Sequence, residues 1–238
     1  MTLYLIGLGL SDEKDITLRG LEAVKKCSKV YLENYTSLLQ CSLADLEKAF
    51  GKKIILADRL QTENKSDDII NGSAKNDVAL LIVGDPLAAT THVNYILDCK
   101  KKNIPITIIH NASVLTAVGE VGLELYKYGK ITSVPFAESK TPNDVIASNL
   151  KNGLHTLVLL DLDPKTKKFM TIAEALGRLS LGKTPVVVCA RLGSEHSRIV
   201  YATGPVLKTI DFGNPPYCIV VPAALHFVEE EALELWRL

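Results

Sequence analysis

A carboxylate directly follows a buried strand in this chain. Val78-Ala79-Leu80-Leu81-Ile82-Val83 is an unbroken apolar run, and Gly84-Asp85-Pro86 comes at once after it. Such a run, bounded by a turn signal, predicts a strand covered on both faces, as in a parallel sheet. Gly84 permits a sharp turn, and Pro86 biases Asp85 toward extended backbone. Asp85 is thereby expected at the carboxyl end of a buried strand, where open α/β sheets bind ligands. Taken alone, the same residues also suit a plain strand-to-helix turn with a solvated carboxylate.

Other loops have a similar character. Gly7-Leu8-Gly9-Leu10 follows the apolar N-terminal run, and His110-Asn111-Ala112-Ser113 follows the run at 105–109. Thr90-Thr91-His92 opens the helical pattern after Gly84-Asp85-Pro86, and either hydroxyl would serve as an N-cap there, as Ser113 would before Val114. Polar, glycine-bearing edges converging on one cleft are a means of holding a small cofactor.

Several chemistries fit poorly. Gly7-Leu8-Gly9, with Glu33 ending the second strand, invites a dinucleotide reading, but Asp12 occupies the third glycine position. Ser11-Asp12-Glu13-Lys14-Asp15 would also repel a pyrophosphate. His92, His110, His155, His196 and His226 lack a His or Cys at metal-ligand spacing, so no metal is expected and each reads as a hydrogen-bonded structural residue. There is no Gly-x-Ser-x-Gly elbow and no phosphate-binding Gly-x-x-x-x-Gly-Lys loop. Lys+Arg and Asp+Glu both number 27, which predicts no nucleic-acid partner. Lys25-Lys26 and Lys100-Lys101-Lys102 read as solvated helix faces. Cys27, Cys41, Cys99, Cys189 and Cys218 are scattered, as expected of free thiols in a reducing compartment. No apolar stretch reaches spanning length, and Leu3–Leu10 lacks the basic lead-in of a signal peptide, so the expectation is a cytoplasmic chain without a membrane partner.

The elements that must position these loops follow from hydrophobic period. Strands are predicted at 3–8, 29–32, 53–57, 78–83 and 105–109, with helices at 17–27, 42–50, 65–74 and 91–102. That alternation predicts a parallel sheet with helices on both faces. Beyond it, strands at 131–134, 155–160, 185–190, 198–202 and 217–222 mix with helices at 113–123, 142–151, 171–179 and 226–236. Strands without an intervening helix imply antiparallel pairing. The expectation is an α/β protein of two domains, 1–110 with a parallel sheet and 111–238 with a mixed sheet, enclosing a cleft.

Leu5-Ile6-Gly7-Leu8-Gly9-Leu10, Asp15-Ile16-Thr17, Tyr35-Thr36-Ser37, Gly84-Asp85-Pro86 with Ala89-Thr90-Thr91-His92, His110-Asn111-Ala112-Ser113 and Gly153-Leu154-His155-Thr156-Leu157 occur in that order. Together they resemble the diphthine synthase group of tetrapyrrole-methylase-type methyltransferases, and His-Asn-Ala-Ser is closer to eukaryotic than to archaeal members. The resemblance implies a two-domain tetrapyrrole-methylase-like fold, usually homodimeric, with S-adenosylmethionine in the interdomain cleft and S-adenosylhomocysteine as product. The implied substrate is translation elongation factor 2 carrying a 3-amino-3-carboxypropyl histidine, whose amine is methylated repeatedly. Eukaryotic members are expected to add a fourth methyl, on the carboxylate.

The cofactor contacts implied by position are Leu10, Asp85, Ala88, Ser113, Val114, Leu160 and Leu192. The family's next contact is a His, but Tyr217 stands here after Asn214-Pro215-Pro216. A phenol can also donate a hydrogen bond. The chain is shorter than eukaryotic relatives between about Leu162 and Pro185. Ala88, Ala89 and Ala112 would leave room for a growing quaternary cation, and Tyr35 would offer it an aromatic face or else pack half-buried. The resemblance does not assign a general base. A tetrapyrrole or ribosomal-RNA methyltransferase, or a cofactor-binding scaffold without catalysis, remains a competing reading.

Overall fold

The computed structural model describes residues 1–33, 37–57, 66–163, 166 and 168–238; the Tyr35 expectation falls outside them. Chain contacts divide the protein into two compact units, Met1–Leu115 and Thr116–Leu238.

In the first unit, β1 (Leu3–Gly7), β2 (Lys29–Glu33), β3 (Ile55–Ala57), β4 (Val78–Ile82) and β5 (Ile106–Ile109) form an all-parallel sheet in the order β3-β2-β4-β1-β5. Period-two alternation explains how it is covered. Ile6, Ala79 and Leu81 share one core with Ala23, Val24, Leu46 and Phe50, which come from α1 (Leu18–Lys26) and α2 (Leu43–Phe50). Leu3, Leu5, Val78, Leu80 and Ile82 share the other with Ile69, Ile70, Tyr95 and Cys99, from α3 (Ser66–Ser73) and α4 (Val93–Lys101). Gly20 lets α1 lie close to the sheet, because a Cβ there would stand 3.0 Å from Ile6 Cγ2.

Capping fixes the starts of these helices. Thr17 Oγ1 accepts from Gly20 N–H at 3.0 Å, and Ser42 forms a reciprocal capping box with Asp45 before α2. At α4 the structure departs from expectation: His92 is the cap residue, with no side-chain cap bond, and neither Thr90 nor Thr91 fills that role. From β1 the chain crosses toward β2, and from β4 it crosses the other way to β5. The carboxyl ends of the neighbouring strands β1 and β4 thus flank the sheet's switch point.

α5 (Val114–Ala117) spans the division between the units. The first unit extends past residue 110, where Asn111 is bound to its loops, as described below. The helix expected over 113–123 splits into α5 and a 3₁₀ turn at Val118–Val121 that ends on Gly122 at φ 92°.

The second unit holds β6 (Thr132–Val134), α6 (Thr141–Lys151), β7 (Thr156–Leu160), β8 (Leu162–Asp163), β9 (Lys168–Phe169) and α7 (Ile172–Arg178). These are followed by β10 (Pro185–Ala190), β11 (Arg198–Thr203), α8 (Gly204–Leu207), β12 (Tyr217–Val221) and α9 (Phe227–Glu234). Its main sheet runs β11-β10-β12-β7-β6, antiparallel except for the β6–β7 pair, and is therefore mixed as expected. Short β8 and β9 form a separate hairpin. No helix among the described residues is long and apolar enough to cross a membrane.

Candidate functional site

In the first unit, three loops meet at the carboxyl ends of β1, β4 and β5. The first two are joined by backbone: Gly84 N–H donates to Gly9 C=O at 2.7 Å, and Gly9 N–H to Gly84 C=O at 3.3 Å. Side chains would separate them. A Cβ on Gly7 would lie 2.6 Å from Gly84 O, and Gly9 and Gly84 take φ of 85° and 78°. Asn111 ties in the third loop, its Nδ2 donating to Gly7 C=O at 3.0 Å and Asp15 C=O at 2.9 Å. Asp15 faces inward: its Oδ2 accepts from Leu10 N–H at 3.0 Å and Ser11 N–H at 2.7 Å.

Asp85 lies within this cluster. Its Oδ1 accepts from Leu87 N–H at 2.9 Å, and its Oδ2 accepts from Asn111 N–H at 3.2 Å and lies 2.7 Å from His110 Nδ1. Partial burial works to raise its pKa, but these hydrogen bonds prevail and hold the carboxyl below its ordinary value. It is an anchored anion. Ala88 N–H closes the turn on Asp85 C=O at 3.2 Å, and the next residue, Ala89, has φ 54°. Ser113 is buried, and its Oγ accepts from Leu115 N–H at 3.3 Å, while Val114 is half-buried at the start of α5.

Glu33 has a different setting. It ends β2 only 2% exposed, with Oε2 2.9 Å from His92 Nε2, yet neither oxygen accepts an aligned hydrogen bond among the described residues. His92 Nδ1 lies 3.1 Å from Pro86 O and 3.0 Å from Thr90 Oγ1. This buried carboxylate is not presented to a ribose.

The second unit gathers the remaining candidates at one end of its sheet. Leu160 ends β7, Tyr217 begins β12 and pairs with Ala190, and Leu192 follows β10. Leu160 and Tyr217 pack half-buried on one core, and Leu192 is buried. The Tyr217 hydroxyl donates to Gly213 C=O in its own loop. Arg191, at φ 52°, holds that loop through Nη1 to Phe212 O at 2.8 Å and to Asn214 O. Sequence reasoning passed over Asn111 and Arg191 as tethers, since nothing local indicates which carbonyls they reach.

The chain matches the family model for tetrapyrrole (corrin/porphyrin) methylases over residues 2–207. It is 40% identical to the diphthine methyl ester synthase of Dictyostelium discoideum over 100% of this chain and 98% of that one. It is 42% identical to the diphthine synthase of Methanococcus aeolicus, covering 98% and 96% of the two chains. A crystal structure of diphthine synthase superposes with TM-score 0.95 at 39% identity, covering 100% of this chain and 96% of that one. The chain belongs to the tetrapyrrole methylase family and is an S-adenosylmethionine-dependent methyltransferase. Its full-length similarity within that family is to diphthine and diphthine methyl ester synthases.

The residues present fit this cofactor. Its ammonium and sulfonium are cationic, and Asp85 is an ionised carboxylate whose described partners leave acceptor capacity. Leu10 and Val114, both half-buried, suit its apolar surfaces.

Proposed function

We propose that this protein methylates the 3-amino-3-carboxypropyl histidine of translation elongation factor 2, giving diphthine and then its methyl ester. Support comes from the full-length relation to a protein named diphthine methyl ester synthase. In the first unit the proposed cofactor positions are Leu10, Asp85, Ala88, Ser113 and Val114; in the second they are Leu160, Leu192 and Tyr217. As part of the same reading, the protein works in the cytoplasm as a homodimer.

Bound S-adenosylmethionine supplies an electrophilic methyl on sulfur, so the chain itself need supply no nucleophile. Its contribution is placement, worth about 7–11 kcal/mol when reactants are held in line. Asp85 orients a cationic end of the cofactor, fixed by Leu87 and Asn111 so that little reorganisation accompanies the reaction. Leu10 acts through its side chain and carbonyl, because its N–H is taken by Asp15. Tyr217 acts through its ring or its oxygen lone pairs, because its proton is directed to Gly213.

The test is mass spectrometry of elongation factor 2 bearing the aminocarboxypropyl histidine after incubation with the protein and S-adenosylmethionine. A gain of four methyls is expected, and a gain of three would restrict the product to diphthine. No gain, with cofactor bound, would overturn the reading in favour of a non-catalytic scaffold or another acceptor. The same preparation should scatter light as a particle of twice 26.0 kDa; a 26.0 kDa particle would overturn the homodimer.

A further inference from the structure

The amine of the proposed substrate is protonated in neutral water, as aliphatic amines are. An ammonium has no lone pair with which to attack a methyl carbon. Each N-methylation therefore requires removal of a proton, whereas the carboxylate oxygen of the ester step has its lone pairs already.

His110 has the chemistry to take such a proton. It stands at the carboxyl end of β5 with its side chain 66% exposed, and its Nδ1 lies 2.7 Å from Asp85 Oδ2. His92 and His155 instead are buried, with protein atoms within 3.1 Å of both ring nitrogens. An ionised carboxylate only accepts, so it fixes the proton of His110 on Nδ1 and leaves the lone pair on Nε2, at the far side of an exposed ring. The same contact fixes the orientation of the ring, the role an aspartate has behind a catalytic histidine. Hydrogen bonds from Leu87 and Asn111 hold Asp85 in this orientation.

We propose that His110 is the proton acceptor for the N-methylation steps, kept in its receptive tautomer by Asp85. This rests on the substrate reading above. The substrate N–H bond breaks, its proton passing to His110 Nε2 and its electron pair staying on nitrogen. That pair forms the bond to the methyl carbon as the carbon–sulfur bond breaks with its electrons going to sulfur. The positive charge passes from sulfur to nitrogen, and the imidazolium releases its proton to water before the next transfer. The trimethylated nitrogen has no proton left, so His110 has no part in the ester step.

The experiment compares wild type with His110→Gln in single turnover on two forms of elongation factor 2. One carries the unmethylated amine, the other the trimethylated side chain with a free carboxylate. The variant should lower the ratio of amine rate to ester rate by about 10²-fold or more, the usual scale of general-base catalysis. Added imidazole should restore part of the amine rate. Calorimetry should give an S-adenosylhomocysteine Kd within about threefold of wild type, a change under 1 kcal/mol.

Equal losses on both substrates would make His110 a positioning residue and overturn the proposal. A large loss of cofactor affinity would overturn it too, by placing His110 in the cofactor site. If the wild type leaves the carboxylate untouched, imidazole rescue of the amine rate decides alone. A wild type inactive on both forms would overturn the substrate reading, and this proposal with it.

Discussion

Asn111 has an effect out of proportion to its half-buried position. One amide group holds Gly7 and Asp15 through Nδ2, while its Oδ1 accepts from Ala112 N–H at 2.8 Å. Asn111→Ala leaves two carbonyls of the β1 loop without this donor and frees the segment bearing Ser113. Losing such bonds costs about 1–3 kcal/mol. The expected result is a lower melting temperature and cofactor binding weakened by about tenfold or more, equivalent to 1.4 kcal/mol. Differential scanning and isothermal titration calorimetry would measure both; an unchanged melting temperature and affinity would rule out the tether. At this scale Asp85 was legible, since a glycine and a proline around a carboxylate after an apolar run specify its place. The reach of Asn111 was not, because Gly7 lies 104 residues away in sequence.

Among the elements, α9 has its first turn attached to a buried polar network. Glu229, 1% exposed, accepts from His155 Nε2 at 2.9 Å, Glu124 N–H at 3.1 Å, His226 N–H at 2.9 Å and Lys127 Nζ. Ala223 N–H donates to His155 Nδ1 at 2.9 Å, so His155 is the neutral Nε2–H tautomer. Burial lowers the His155 pKa, although its bond to Glu229 works the other way. Burial would raise the Glu229 pKa, but its hydrogen bonds outweigh that and carry it down to about 2. Both groups titrate below their unfolded values, so their stabilisation is whole above pH 6.5 and decays in acid. The His155 part goes first, and the Glu229 part between pH 4.5 and about 2.

The melting temperature should therefore fall on acidification. Glu229→Gln should flatten that acid limb, while Glu229→Ala, which leaves buried partners unpaired, should cost about 3–5 kcal/mol. An acid limb unchanged between pH 4.5 and about 2 in Glu229→Gln would exclude Glu229 as its source. The strands of both main sheets were readable from apolar period, as at Val78–Ile82 and Pro185–Ala190, and so was the capped α1. The hairpin of β8 and β9 was missed because two-residue strands have no period to detect. The absent cap at α4 was missed because Thr90 Oγ1 contacts His92 Nδ1 two residues on, a local side-chain contact that competes with capping the helix N–H groups.

For the whole molecule, charge decides between methyl acceptors. With 27 basic and 27 acidic residues, the chain has no net field to attract RNA. Its longest lysine run is partly engaged, Lys101 with Asp98 at 3.1 Å and Lys102 with Asn71 at 3.0 Å. RNA recognition begins with phosphate neutralisation, and non-specific binders reach a Kd of about 10⁻⁴–10⁻⁶ M by clustered Lys and Arg. A chain with no net positive charge should bind more weakly than that at physiological salt. Total RNA added to the elongation factor assay should neither slow methylation of the protein nor acquire label from methyl-labelled S-adenosylmethionine. Label in the RNA would reverse the choice of acceptor, because it would mean that a local basic surface is sufficient without a net field. Unlabelled RNA and labelled elongation factor would leave recognition to the shape and polarity of a protein surface, as suits a neutral enzyme whose target is one side chain.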